Sequence, residues 1–452
     1  MSLVRLNWLE KIAFVLVLFC GTNTLFGQHA TPLFYLNNAP QSAYSNPAQA
    51  PNGRLNIGLP LISSTAGQIQ TNGFELFGSY SISEGLDAEK FLNGLLPNNQ
   101  FQNTLRTDLL HIGFSSKKQY YHFAITERLS GSVNFPKELA YLVDAVYEEY
   151  LPSTIDIQNF IVNQNYQRVY HFGAMRAIND QLNVGITGKY HVGIAAVQSN
   201  RSGLAITPLI QDNTVQLRGR LNYDFSTSGW ENTENITLNN FVRGTGNQSF
   251  SVDIGANYKL RDRFVFSGSI IDLGGNINWK KGINTYAEDG LEQRIELINA
   301  DSAFNSETLR ELPSRFISLV DSVVENSNPL LSSRAFETSS PTYLNLSAGY
   351  MVSPRMQVAL FSHSSFTKLD NQTNLKIVVD SHVKRFLNVV LSYAVIDEYA
   401  TPLNLGLGLA INGGPFQFYA TTDNVFMPLY YDDLDFYNLR VGFNLTVGRD
   451  YQ

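Results

Sequence analysis

The chain has 452 residues, of which 12% are aromatic and only 16% are charged, well below the roughly 25% of an average globular protein. This composition excludes an intrinsically disordered protein, a collagen, a disulfide scaffold and a coiled coil. The formal net charge of −7 argues against a nucleic-acid partner, because nucleic acids are usually bound by a basic face.

The N-terminal segment has the order of a secretory signal peptide. A short polar start with Arg5 and Lys11 precedes the apolar run 12–19, which is too short to cross a bilayer as a helix. Small and polar residues then follow as far as Gly27. We therefore predict that residues 1–27 are a signal peptide, cleaved after Gly27.

The only cysteine of the chain, Cys20, lies inside this signal. The alternative interpretation is a lipoprotein signal acylated on Cys20, which the bulky Phe19 disfavours. After cleavage at the predicted bond the mature chain has no thiol, so thiolate metal sites and cysteine nucleophiles are excluded for it.

Most of the remaining chain alternates between apolar and polar residues, as a strand with one apolar face does. In segment 182–194, Val184, Ile186 and Val192 alternate with polar or small residues. The same period of two recurs in 119–129, 214–225, 250–260, 342–352, 374–384, 402–412 and 438–448.

The length of these segments favours a membrane barrel. A soluble strand usually has about 5–6 residues, whereas a tilted strand that crosses a bilayer needs about 9–11. Several segments are joined by tight turns, such as 116–118, 261–262 and 413–414. We predict an all-β transmembrane antiparallel β-barrel of about 14–16 strands. The alternative is a pair of soluble β-sandwich domains, which the long strands, the charges in mid-strand and the absence of a linker disfavour.

Charged and polar side chains in mid-strand belong inside such a barrel, because the outer face contacts lipid. On this basis we predict that the lumen is lined by Lys189, His191, Arg218, Arg220, Asp224, Asp253 and Arg440.

The last strand must close the barrel, because lipid cannot satisfy an unpaired strand edge. We predict that segment 438–448 pairs antiparallel with the strand near 416–424 on one side. On its other side we expect the first strand, near 54–60 or 68–80.

Three stretches, 82–106, 131–165 and 275–340, interrupt the alternation with short helical patterns. Leu139, Leu142, Val143 and Val146, for example, share one helical face. These patterns indicate either loop helices packed over the barrel rim or a lid, a lumen plug or a surface for partners.

Mature residues 28–53 are polar and proline-rich and do not read as a strand. They contain Asn46-Pro47-Ala48 just before the first strand candidate, 55–59. Together with the signal, the barrel pattern and the late segment 422–426 (Thr-Asp-Asn-Val-Phe), this arrangement resembles a family of Bacteroidota outer-membrane barrels of unassigned function. That family is distantly similar to long-chain fatty-acid transporter barrels and to barrels associated with type nine secretion and gliding.

The resemblance implies an N-terminal hatch that plugs the barrel, with Asn46, Pro47 and Ala48 as its candidate residues. The implied organisation is a signal peptide at 1–27, a hatch-like segment at 28–53 and an outer-membrane β-barrel at 54–452. It also implies localisation in the outer membrane of a Gram-negative bacterium. No matching motif identifies residues that would bind a fatty acid.

Motifs for catalysis are not evident in the sequence. No histidine pair has the zincin spacing, and Gly188-Lys189 lacks the glycine-rich cradle of a P-loop. The nearest nucleophile candidate is His363 followed by Ser364 and Ser365. We therefore predict no enzyme activity and assign no catalytic, cofactor-binding or metal-binding residues.

The sequence leaves three functions open. The first is a barrel that binds or passes small molecules, hydrophobic ones among them, with selectivity set by the lumen lining. The second is a structural or docking component of a surface secretion or gliding assembly, and the third and most remote is an outer-membrane hydrolase. The expected partners are outer-membrane lipid, a small-molecule ligand of unknown identity and, for the second function, other envelope proteins.

Overall fold

The computed structural model describes residues 31–51, 53–74, 80–81, 85–86, 94–138, 155–158, 160–211, 214–229, 246–299, 334–366, 371–384, 386–396, 405–426 and 436–448. The predicted signal peptide and the helical patterns at 139–146 and 316–323 lie outside these residues. Among the helices of the described part of the chain, none is both long and apolar enough to cross a bilayer.

Fourteen antiparallel strands form one closed barrel. The first strand has two segments, and the other thirteen follow it around the ring in chain order. Their bounds are β1 Leu55–Gly58 with Thr65–Asn72, β2 Asn98–Ser116, β3 Gln119–Pro136, β4 Ile161–Ala177, β5 Leu182–Gln211, β6 Gln248–Leu260, β7 Phe264–Leu273, β8 Thr342–Ser353, β9 Met356–Phe366, β10 Asn371–Lys384, β11 Leu387–Ile396, β12 Leu405–Gly413, β13 Phe416–Thr422 and β14 Phe436–Val447.

The ring closes where the sequence predicts. Strand β14 pairs antiparallel with both segments of β1, with Val447 opposite Leu55 and Val441 opposite Thr65. On its other side β14 pairs antiparallel with β13. The predicted seam and the lower end of the predicted strand count are therefore confirmed.

The two ends of the barrel differ in their connections. At one end, tight turns join successive strands, and the turn residues Lys117, Arg261 and Asp262 adopt left-handed backbone angles, with φ of 53°, 51° and 55°. At the other end the connections are longer. We call these the short-turn end and the long-loop end.

The barrel is inside-out relative to a soluble protein. On β5, Ile186 points outward and is 53% exposed, whereas Lys189 points inward and is 3% exposed. Phe250 on β6 is 70% exposed, and Asp253 on the same strand is 1% exposed. Because neighbouring residues of a strand point to opposite faces, this alternation produces an apolar outer surface and a polar interior, as membrane-spanning barrels require.

A sheet extends beyond the ring at the long-loop end. Past residue 195, β5 leaves β6 and pairs with Thr214–Ser228, which in turn pairs with Ile283–Asn299. We call the second half of β5 and these two strands the extension. It carries Arg218, Arg220 and Asp224, which therefore do not belong to a strand of the ring; that they line the lumen stays a prediction. Period two alone cannot distinguish a strand of the barrel wall from one that continues past it.

The expected helices are mostly strands where the structure describes them. Residues 98–106, 131–136 and 161–165 belong to β2, β3 and β4, and Ile283–Asn299 is part of the extension. Three further small pairs complete the described strands: Ile155–Gln158 on β5, Ile277–Trp279 with Phe336–Thr338, and Tyr80–Ser81 with Gly85–Leu86. The described helical segments longer than one residue are α1, Thr31–Tyr35, and a 3₁₀ helix, Pro40–Tyr44.

The inside-out arrangement predicts a depth-dependent penalty for charge on the outer face. Ile186→Arg should lower the free energy of unfolding in lipid vesicles by about 2–4 kcal/mol, because Ile186 lies well inside the apolar band. The matched variant Val447→Arg, at the short-turn end, should cost only about 0–1 kcal/mol. Urea unfolding in vesicles measures both values, and equal costs would contradict the placement of the band.

Candidate functional site

The N-terminal segment 31–51 lies inside the barrel and fills much of its interior. All residues of α1 and of the 3₁₀ helix are buried, and each of the two helices has only five residues. Such short helices are not stable by themselves, so the surrounding wall must hold them in place. We call residues 31–51 the plug.

Hydrogen bonds join the plug to several strands of the wall. Near its start, the Thr31 amide donates to Asp423 Oδ1 at 3.1 Å. In the middle, the side-chain amides of Gln41 and Asn444 donate to each other at 2.8 and 2.9 Å. Such a reciprocal pair satisfies two buried amides at once, which makes the plug specific for this wall.

The Asn46-Pro47-Ala48 segment is held by two hydrogen bonds to one wall residue. Asn46 Nδ2 donates to Asn257 Oδ1 at 2.8 Å, and Asn257 Nδ2 donates to the Ala48 carbonyl at 3.1 Å. Within the segment, the Ala48 amide donates to Asn46 Oδ1 at 2.9 Å. The residues named from the sequence as a possible hatch thus contact the inner wall at Asn257.

Two wall glycines make room for this segment. A Cβ atom on Gly185 would lie 2.0 Å from the Pro47 carbonyl oxygen, and one on Gly255 would lie 2.1 Å from Asn46 Oδ1. No side chain fits at these distances, so the plug approaches the backbone of β5 and β6 directly. Glycine at both positions is required by this contact.

Tyr44 is the most heavily contacted side chain at the end of the 3₁₀ helix. Its hydroxyl lies 2.8 Å from Asp108 Oδ2 and 2.9 Å from His111 Nδ1, and the Arg106 guanidinium lies 4.4 Å from its ring centre. Burial, together with the nearby Asp108 carboxylate, raises the pKa of the Tyr44 phenol well above its usual value. The phenol therefore stays protonated and donates to the carboxylate.

A network of buried charges lies on strands β3, β5, β6 and β7 of the wall. Lys189 Nζ lies 2.7 Å from Asp253 Oδ2 and 2.6 Å from Asp272 Oδ1, and Arg128 Nη1 lies 3.1 Å from Asp272 Oδ2. All four side chains are at most 6% exposed. Because both carboxylates face a cation at hydrogen-bond distance, the cost of removing these charges from water is largely offset.

The remaining lumen residues named from the sequence are also buried. The His191 imidazole lies between Gln167 Oε1 at 2.9 Å and Ser251 Oγ at 2.7 Å. Arg440 Nη1 donates to Ser64 Oγ at 2.8 Å. These residues, like Lys189 and Asp253, line a filled interior and are not exposed to a wide aqueous channel.

One sector of the inner wall is apolar, in contrast to the rest. Here the plug places Leu33, Phe34 and Leu36 against the wall. The wall side chains of this cluster are Ala359, Phe361, Val378, Val390, Ala410 and Tyr419, all on strands β9 to β13. We call these six residues the apolar sector.

A cavity of about 50 Å³ remains beside this contact. Phe34 and Phe361 form its apolar side, and Arg106, Asp272 and Asn345 contribute polar atoms. A cavity of this size holds a few water molecules at most. The plug therefore occupies the space that a larger hydrophobic molecule would need.

Of the nucleophile candidate named from the sequence, His363 and Ser364 bond to different partners. His363 Nδ1 lies 2.7 Å from Asn345 Oδ1, and Ser364 Oγ lies 2.9 Å from Thr373 Oγ1. Adjacent residues of a strand point to opposite faces, which separates the His363 ring from Ser364. Within the described ranges no group of three His, Cys, Asp or Glu side chains is placed to hold a metal ion.

The sequence did not identify the apolar sector, Asp108, Arg128 or Asp272. The wall residues of the apolar sector come from strands that are distant in sequence, and their inward positions read as ordinary strand alternation. Asp272 is the second-to-last residue of β7 and lies just before a turn, where an acidic residue is common. Only the strand register brings these side chains together.

A family model matches residues 47–423, most of the chain. The protein belongs to this family of unknown function, DUF5723. No curated protein sequence matches the chain significantly.

Solved barrels resemble the chain at low sequence identity. A FadL homologue of Pseudomonas aeruginosa is 11% identical, with a TM-score of 0.41, and the match covers 94% of this chain and all of that one. The toluene transporter TbuX of Ralstonia pickettii is 9% identical, with a TM-score of 0.41 over 94% of this chain and 96% of that one. The toluene transporter TodX of Pseudomonas putida is 9% identical, with a TM-score of 0.37 over 93% and 98%. At this level the similarity carries no information about what the chain binds.

The glycine contacts predict how the plug can be loosened. Gly185→Ala should displace the Pro47 carbonyl and so increase the exposure of the plug, because the new methyl group has no space. Gly188→Ala on the same strand is the matched control, since a Cβ there meets nothing within 4 Å. The labelling rate of a Ser42→Cys reporter, buried in the parent protein, measures the exposure. Equal rates in both variants would contradict the contact.

Proposed function

We propose that the protein is an outer-membrane barrel that binds small hydrophobic molecules and passes them across the outer membrane, with the plug as its gate. The observation that supports this most is the apolar sector, an apolar surface inside an otherwise polar and charged lumen. A barrel that served only as a rigid scaffold would have no need for such a surface, because polar contacts hold the rest of the plug.

The gate follows from what covers the apolar sector. Leu33, Phe34 and Leu36 occupy it in the plugged state, so a ligand and the plug compete for the same wall. The plug contacts there are mainly apolar and hence non-directional, unlike those of Gln41 and Asn46. A hydrophobic molecule can replace the side chains of Leu33, Phe34 and Leu36 on this wall, because these three side chains carry no polar group.

The protein is proposed to act in the outer membrane of a Gram-negative bacterium, after cleavage of the signal peptide. Its outer face of apolar residues would contact outer-membrane lipid, and its short turns would face the periplasm, as in other bacterial barrels.

Locking the plug tests this function. The cleaved chain has no cysteine, so Gln41→Cys with Asn444→Cys can be bridged by a short bis-methanethiosulfonate, which forms one reducible disulfide with each thiol and releases two methanesulfinate ions. Uptake of a radiolabelled monoaromatic hydrocarbon by cells that make the bridged protein should fall to the level of cells without it. Reduction of the bridge should restore uptake, and the two single-cysteine variants serve as controls.

Changing the polarity of the apolar sector gives a second readout. Val378→Thr with Val390→Thr keeps the shape of the wall but adds two hydroxyl groups, which should lower hydrocarbon uptake several-fold. The matched control is Val358→Thr with Val379→Thr, at two positions on the outer face of strands β9 and β10. If cells that make the parent protein take up no more hydrocarbon than cells that lack it, the passage function is refuted.

A structural or docking role in a surface assembly is the second candidate, and the extension favours it. Strand β5 continues well past the ring, and its partner Thr214–Ser228 contributes no pairing to the barrel wall. An uptake-negative protein whose loss still impairs surface secretion or gliding would support this role instead.

A further inference from the structure

The short-turn end carries a concentration of exposed positive charge. The exposed basic side chains in its turns and at the adjoining strand ends include Lys117, Lys118, Arg261, Arg263, Arg355 and Lys384. We call these residues the basic rim. The acidic side chains exposed in the described turns of this end are Asp180 and Asp262, each in a surface ion pair with a lysine. This end is therefore positive although the whole chain has a net charge of −7.

The basic rim follows the circumference of the barrel. Its residues belong to the turns between β2 and β3, β6 and β7, β8 and β9, and β10 and β11. A protein that docked on this end would contact one side or cover the opening. Lipid headgroups, in contrast, surround the whole perimeter, so charges dispersed around the ring fit a lipid annulus better than a single protein.

Exposed aromatic residues lie directly next to the basic rim on the outer face. Tyr121, Phe264, Tyr350 and Phe386 are 41–49% exposed and lie at strand ends of this end or within three residues of them. Aromatic side chains at such positions mark the boundary between hydrocarbon and headgroups. The Lys384 ammonium lies 5.7 Å from the centre of the Phe386 ring, so its stem extends along the boundary. The rim charges are thus at the depth of lipid phosphates.

We propose that the basic rim binds the phosphate groups of anionic phospholipids in the leaflet that adjoins the short turns. Lysine and arginine donate charge-assisted hydrogen bonds to phosphate oxygens, and several weak contacts around the ring add up. The binding would fix the depth of the barrel in the membrane. It needs no movement of the plug, so it does not depend on the proposed passage function.

The proposal can be tested with the purified mature protein in nanodiscs that contain equal amounts of phosphatidylethanolamine and phosphatidylglycerol. Mass spectrometry of the lipids that remain bound after release from the nanodisc gives their ratio. The parent protein should retain mainly phosphatidylglycerol. The variant Lys117→Gln, Lys118→Gln, Arg261→Gln, Arg263→Gln should lower the ratio of phosphatidylglycerol to phosphatidylethanolamine by roughly tenfold.

A matched variant controls for the loss of charge. It carries the same number of glutamine substitutions at exposed basic residues of the long-loop end: Arg201, Arg220, Lys280 and Lys281. This control should keep the lipid ratio of the parent protein. The gel shift between unheated and heated samples shows that each variant has folded.

Three results would overturn the proposal. The first is an equal ratio of phosphatidylglycerol to phosphatidylethanolamine for the parent protein and the rim variant. The second is an equal decrease of this ratio in the rim variant and the control variant. The third is a parent protein that shows no lipid preference and binds an acidic periplasmic protein instead. A preference that disappears at high salt in the parent protein supports an electrostatic contact.

Discussion

Ring closure is the constraint on which the rest of this structure depends. In hydrocarbon, a backbone N–H or C=O without a partner costs several kcal/mol, so no edge strand is tolerated. The pairing of β14 with β1 and β13 satisfies this requirement at the seam. Closure in turn creates an inner surface, and the side chains on that surface determine what can fill the lumen.

In this protein the chain itself fills the lumen. The plug brings polar side chains that match those of the wall, as in the Gln41–Asn444 and Asn46–Asn257 pairs. Charges that would be hydrated in an open pore are paired with each other instead, as Lys189 is with Asp253 and Asp272. An interior of this kind is rigid where polar contacts dominate. It is more easily rearranged at the apolar sector, where contacts have no direction.

The sequence predicts the barrel well because one rule, period two over long segments, applies at every strand. The same rule places Lys189, His191, Asp253 and Arg440 on the inner face. It does not reveal that Arg218, Arg220 and Asp224 lie on a strand outside the ring, because a strand that leaves the wall keeps its alternation. It also fails for 98–106 and 131–136, where turn-like and helix-like composition is overridden by pairing with long neighbours.

The contacts of the plug are beyond the reach of sequence patterns for a different reason. Asn46-Pro47-Ala48 is recognisable as an irregular segment, but Gly185 and Gly255 read as ordinary small residues in strands. Their role depends on the plug backbone that packs against them, and the plug precedes both glycines by more than a hundred residues in the sequence. The apolar sector has the same origin, since its side chains converge from five strands.

The length of β5 has a mechanical consequence. At about 3.3 Å per residue, its 30 residues span up to roughly 100 Å, several times the thickness of a bilayer core. One continuous strand thus joins the extension to Gly185 and Lys189 in the wall of the ring. A force applied to the extension is transmitted along the backbone of this strand to Gly185, which contacts the plug at Pro47. The extension and the contact between Gly185 and the plug are therefore coupled mechanically through the wall of the ring.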